Sequence, residues 1–232
     1  MNKFPVLLKE SCRVWNFDES LKCKEHTPKV IGSKDDKDLF TNVGAPKNSN
    51  KNHTTVIGCV SASGDRLPLS FVSKIGQTIS ADHMHMFDYM NTSSFYSTKT
   101  GYSDANVTNT WFVEDFLYSV RKIIQQKSEN PDDTTICLFI DGASCHLSPE
   151  LVELAINNNV HIIVTPSHTT VHFQALDVRV FGIFKKELAK KIAEFEVLYN
   201  GSSIPHIFQM HAAYYVWENK ISSKLSRYSS FS

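Results

Sequence analysis

Three aspartates stand where an α/β chain tends to gather functional groups. Asp18 follows the short alternating run Arg13-Val14-Trp15-Asn16-Phe17, Asp141 follows the apolar run Ile136-Cys137-Leu138-Phe139-Ile140, and Asp177 opens a helical pattern. In open α/β sheets, functional groups collect at such strand ends and helix starts. Carboxylates brought together repel one another, so a trio is costly unless a cation neutralises it or some of the acids stay protonated. Oxygen-only donors suit Mg2+ or Mn2+. Two such ions, about 3.5 to 4 Å apart, can grip a phosphodiester, activate a water or a 3′-hydroxyl and stabilise the leaving oxygen. The chemistry this points to is phosphoryl transfer. Spacing alone leaves a second account open, because an aspartate after a strand is often a turn residue or a helix cap.

The elements that must hold these acids can be read from periodicity. Residues 13–17 form a short strand that delivers Asp18 at its end, with Glu19 beside it. Residues 25–52 are polar and aperiodic, crossed by one short strand near Val30. Thr54–Val60 and Leu67–Ser73 make a hairpin around the Gly64-containing turn. Asp82–Thr100 has no assignable period, and Gly101–Asn106 reads as a turn. Trp111, Phe112, Phe116, Leu117, Val120, Ile123 and Ile124 recur at helical spacing, which predicts a helix over 108–126 with Thr108 as N-cap. Ile136–Ile140 and Val160–Val164 are continuous apolar runs, expected as buried strands. Between them Ser148-Pro149 starts a helix, with serine at the N-cap and proline at the first helical position. A third helix runs from Leu176-Asp177 through Val180, Phe181, Phe184, Leu188 and Ile192. Residues 200–232 are expected to form a frayed or truncated terminus.

Composition narrows the class. The chain has 232 residues, 41% hydrophobic and 21% charged, enough for one sizeable α/β domain and unlike a chain disordered throughout. Lys plus Arg equals Asp plus Glu at 24 each, so the net charge gives no argument for a polyanionic partner. The five cysteines are an odd set without a CxxC pair, as expected of reduced, buried thiols. A zinc site from His168, His172 and Cys137 or Cys145 does not fit structural-zinc spacing. No apolar stretch is long enough to cross a bilayer and no signal peptide is visible, so the Asn-x-Ser/Thr matches at Asn52, Asn91 and Asn106 are expected to be chance.

The residues around the acids add a family likeness. Val14-Trp15-Asn16-Phe17-Asp18-Glu19-Ser20 is similar to an N-x-D-E-T motif, Leu138 to His146 resembles L-L-D-G-H-x-S-H, and Pro166 to Gly182 resembles P-P-H-T-T-H-x-L-Q-P-L-D-V-x-V-F-G. Thr55–Leu69 and Thr108–Leu117 resemble further signatures of the same group. Over about residues 10 to 190 the chain thus resembles the DDE transposases of the pogo, Tigger and jerky kind, related to centromere protein B.

That resemblance implies an α/β fold of the RNase H-like type, a mixed central sheet flanked by helices. It divides the chain into a short segment 1–9, a catalytic domain 10–195 and a C-terminal helical or partly disordered extension 196–232. Asp18, Asp141 and Asp177 are implied as catalytic residues and as ligands of two Mg2+ or Mn2+ ions, with Asp18 touching both. His146, His168 and Gln174 match family positions and either orient a ligand, contact a phosphate or satisfy loop backbone groups. Glu19 is either a further acceptor near the metals or a neighbour on the opposite strand face. Lys185, Lys186, Lys190 and Lys191 either contact phosphates or form a solvated face.

The implied function is a metal-dependent DNA endonuclease and strand-transfer core; the alternative is a domesticated or decayed relative that binds DNA or chromatin without catalysis. The implied partners are DNA and a second copy in a homodimer, with no membrane, and the implied location is the nucleus. Family members carry N-terminal helix-turn-helix domains, and nothing before Lys9 supplies them, so this chain is expected to lack sequence-specific targeting. Ala143, Val171, Ala175 and Ser20-Leu21 depart from the pattern while all three acids remain, and the lost imidazoles would weaken phosphate contacts or ligand orientation.

Overall fold

The structure is a computed structural model that describes residues 11–20, 54–74, 85–127, 134–142, 147–165, 180–198 and 204–221. Its centre is a six-stranded sheet. The strands are β1 (Val14–Ser20), β2 (Thr54–Ser61), β3 (Ser70–Lys74), β4 (Ser94–Thr98), β5 (Ile136–Ile140) and β6 (Val160–Val164), in the order β4-β3-β2-β1-β5-β6. β1, β2 and β3 are antiparallel neighbours, whereas β5 and β6 run parallel to β1 and to each other. This is the mixed RNase H-like sheet, with β4 added in parallel at one edge.

Each face of the sheet has its own core. On the first, Trp15, Phe17, Ile57, Cys59 and Val72 point at the long helix α2 and at α3 (Pro149–Asn157). Helix α2 joins Ala105–Trp111, a π-helical stretch Phe112–Leu117 and Tyr118–Gln126. On the second, Val56, Val60 and Phe71 point at α4 (Phe181–Leu198) and α5 (His206–Val216), the latter continuing into a π-helical turn, Trp217–Ile221. The remaining helix, α1 (Met86–Tyr89), is a single turn before β4. β2 is buried at all eight positions because it lies between strands and under helices on both faces.

Several expectations need correction. β1 does not stop before Asp18, because its antiparallel ladder with β2 runs on to Ser20 opposite Val56. The second hairpin strand begins at Ser70 instead of Leu67, with one isolated bridge between Val60 and Arg66 before it. Residues 94–98, left without an assignment, form the edge strand β4. Helix α2 starts three residues early: Asp104 is its N-cap, accepting from the Val107 amide at 3.0 Å, and Thr108 is buried inside it, donating to the Asp104 carbonyl. β6 is a half-exposed edge strand, since among the described residues only β5 pairs with it. The Ser148 cap holds, with its hydroxyl accepting from the Leu151 amide at 3.0 Å. Within residues 200–232, the stretch 206–221 is helical and largely buried rather than frayed. The short strand expected near Val30 lies outside the described residues.

Candidate metal centre

Two of the three acids lie among the described residues, and β1 and β5 hold them. The parallel ladder pairs Asn16 with Phe139, an offset of 123 residues that is also bridged by the Asn16 side chain. Carried two residues further, that offset aligns Asp18 with Asp141. Neighbouring strands run about 4.8 Å apart, and side chains two residues on return to the same face. Asn16, Asp18, Phe139 and Asp141 therefore share the second face, the one covered by α4 and α5.

Backbone contacts fix both ends of this pair. The Asn16 amide donates to the carbonyls of Phe139 at 3.2 Å and Phe17 at 3.3 Å, tying β1 to β5 just before the acids. Asp18 is buried, and its Oδ1 accepts from the Glu19 amide at 2.7 Å. The carbonyl of Ile140, next to Asp141, accepts from both the amide and the hydroxyl of Thr165, at 2.9 and 3.1 Å. Glu19 lies opposite Ile57 in the ladder, so its side chain takes the first face, away from Asp18.

The start of α4 comes to the same place. Gly58 is the register partner of Asp18, and the Phe181 ring lies so close above it that a Cβ on Gly58 would sit 2.9 Å from Phe181 Cζ. Beyond β1 the cover thins. Phe139 and Asp141 are half-buried and His161 on β6 is exposed, so the acids lie at the border between a sealed core and solvent.

Asp177, His146, His168 and Gln174 lie outside the described residues, as do the departures at Ala143, Val171 and Ala175. Among the described residues alone, no group of three metal-binding side chains is assembled. Lys185 and Lys186 are exposed on α4. The four-lysine cluster expected there divides. Lys190 pairs with Glu187 at 3.2 Å and Lys191 with Glu194 at 2.7 Å, and the Lys191 ammonium also lies 4.8 Å from the Tyr215 ring centroid. Two features went unread in the sequence, the Asn16 bridge and the close approach at Gly58. A lone glycine in the β-branched run Thr-Thr-Val-Ile-Gly-Cys-Val was the available signal for the second.

Cys59 and Cys137 are buried free thiols, and burial pushes both up from the ordinary thiol value. No helix among the described residues is long and apolar enough to cross a membrane.

The family model of the DDE superfamily endonucleases matches residues 50–210, more than half of the chain. No curated protein matches it. Among solved structures, the chain is similar to the Mos1 transposase paired-end complex with left transposon end, at TM-score 0.44 and 12% identity, over 97% of this chain and 61% of that one. It is similar to the Mos1 mariner paired end complex with Mn at TM-score 0.45 and 12% identity, over 99% and 59%. It is also similar to the Mos1 transposase catalytic domain with raltegravir and Mg, at TM-score 0.43 and 11% identity, over 98% and 92%. The chain thus spans 61% and 59% of the length of the first two.

Proposed function

Since the chain belongs to the DDE superfamily endonucleases, we propose that it is the catalytic core of a metal-dependent DNA endonuclease and strand-transfer enzyme. Its motifs resemble the pogo, Tigger and jerky branch most, and the nucleus is the matching location. The observation that carries the reading is the alignment of Asp18 with Asp141 on one face at an open border of the sheet, under the start of α4. Asp177 comes four residues before Phe181, and four residues of chain reach at most about 14 Å. That is short enough for a third carboxylate to meet the other two.

The donor set fits hard divalent cations, since all three side chains offer only carboxylate oxygens. Asp18, Asp141 and Asp177 would hold the ions. When bound, a Mg2+ or Mn2+ pair would lower the pKa of an attacking water or 3′-hydroxyl and stabilise the leaving oxygen. The chain's own part is positional. β1 and β5 set the spacing of two acids, the Asn16 and Thr165 hydrogen bonds hold the strand ends, and Lys185 and Lys186 face solvent where a DNA phosphate can be met. His146, His168 and Gln174 would orient ligands or phosphates, and a second copy of the chain would bring a second DNA end.

Nicking of supercoiled DNA tests this. Activity is expected in Mg2+ or Mn2+, absent in chelator and lost in Asp141→Asn. Undiminished nicking by that variant would show that the activity comes from elsewhere. No metal-dependent nicking, combined with retained DNA binding, would favour a non-catalytic binding module.

A further inference from the structure

We infer that two copies of this chain pair through the outer face of α2 and α3, a ridge on α3 of each copy seating in a groove on the other. The inference deepens the reading above, and rests on it for the use of a second copy, by naming the surface that joins the two. The groove lies between the helices and has a volume of about 650 Å3. Leu117 and Leu154 line it together with Val113 and Tyr118, and the tyrosine is 67% exposed. Among the described residues its charged lining is cationic only, Arg121 and Lys122. Two contacts fix its walls. Ser148 at the start of α3 donates to the Asn109 side chain at 3.0 Å, and Arg121 donates to the Asn158 side chain at 2.9 Å past the end of α3. The two helices therefore run alongside each other in the same direction.

The opposite flank of α3 carries what the groove would take. Val152 and Ile156 are about one turn apart and exposed, Ile156 by 69%, and the exposed Glu153 stands beside them. At about 100° per residue, Leu154 in the groove points about 160° away from both. It also sits at the height midway between them. A two-fold axis parallel to α3 keeps every height and exchanges the flanks, so the ridge of each copy meets the groove of the other in register. Tyr118 is three residues before Arg121 and Ile156 two before Asn158, so at about 1.5 Å per residue they stand within about 2 Å of one height. The two apolar side chains most exposed on this face then cover each other, and the ridge brings an acid to a groove that holds two cations. A face that carries both halves of a complement is self-complementary, which is what a two-fold interface requires. It lies over the first face of the sheet, so pairing leaves Asp18 on the second face uncovered.

Sedimentation velocity of the full chain, without metal or DNA and over a rising concentration series, tests this. Wild type should pass from monomer to dimer. Ile156→Lys and Tyr118→Glu should each weaken pairing by about tenfold or more, because each sets a charge against an apolar wall in both contacts. An equal mixture of the two should pair within about threefold of wild type, since one contact then joins Lys to Glu and the other is native. Both positions are exposed, so circular dichroism should match wild type; where it does not, Val152→Lys and Val113→Glu take their place. Asp18→Asn should pair as wild type does, so failure of the metal reading and failure of this one are told apart.

A wild type that stays monomeric overturns the pairing and leaves the groove to a different protein. A dimer indifferent to both substitutions, a mixture that does not pair, or assembly beyond two copies overturns it as well.

Discussion

The two faces of the sheet are built to different ends. Against α2 and α3, the first face is filled by Trp15, Phe17, Trp111, Phe112 and Phe116, all 2% exposed or less, and its polar anchor is satisfied inside the protein. That anchor is Asp115, on the π-helical stretch of α2, which accepts from the hydroxyls of Ser70 at 2.7 Å, Ser94 at 2.6 Å and Tyr96 at 3.1 Å. Burial, then the Asp115 charge, push the Tyr96 hydroxyl well up, so it stays a donor at any ordinary pH. The second face spends its aromatic packing on seating one helix start, and its border carries Asp18, with Asp141 two residues past the last β1–β5 ladder pair. A carboxylate can thus serve either role in one domain. Asp115 is given three hydroxyl donors and holds the fold together, while Asp18 is the carboxylate proposed above to hold a cation.

Four substitutions sharpen that contrast. The largest effect is expected from Asp18→Asn, which should bring Mn2+-dependent nicking down to background while leaving metal-free thermal stability equal or higher, because it relieves like-charge repulsion. A marked fall in metal-free melting temperature would mean that Asp18 is structural, as Asp115 is. Phe116→Ala should do the opposite. Its fully buried ring packs on Trp15, Trp111 and Phe112, and its loss should cost about 3 to 5 kcal/mol in urea unfolding with Mn2+ half-saturation of the folded protein unchanged. Asp115→Ala should cost about 2 to 3 kcal/mol by the same measurement, since three hydroxyl groups lose a charged acceptor.

The smallest effect belongs to the β2–β3 turn. Burial raises the Asp65 carboxyl, but hydrogen bonds from Lys127, Ser63 and Ser61 and the Lys127 charge outweigh it and hold it below its ordinary value. A carboxyl depressed in the folded state stabilises above its unfolded pKa, about 3.9, and loses that contribution as pH falls through the native value. The stability gap between wild type and Lys127→Ala should therefore be present at neutral pH and shrink in acid below about pH 4. A gap independent of pH would remove the ion pair from the account.

The parts legible in the sequence were those set by local chemistry. The unbroken apolar run of β5 and the Ser148-Pro149 start of α3 need no distant partner to be recognised. β4 was missed because Ser-Phe-Tyr-Ser-Thr is short, lies at an edge and takes its order from β3, more than twenty residues earlier. α5 was allowed for only as part of a helical or partly disordered extension, for a different reason. It is apolar almost all round, from Ile207 to Val216, so it has no amphipathic stripe to read, and it is buried accordingly. At the candidate centre, motifs named Asp18 and Asp141, but their alignment depends on a strand pairing that spans 123 residues. No local pattern encodes that.

Trp217 has a consequence for how the molecule is made. All three acids leave the ribosome before it does, yet it forms one wall of the seat that receives Phe181. A polypeptide that stopped after Leu198 would possess every carboxylate and lack the surface that brings helix and sheet together. A stretch made later thus completes the seat for one made earlier, and α4 can settle on the sheet only once Trp217 has docked.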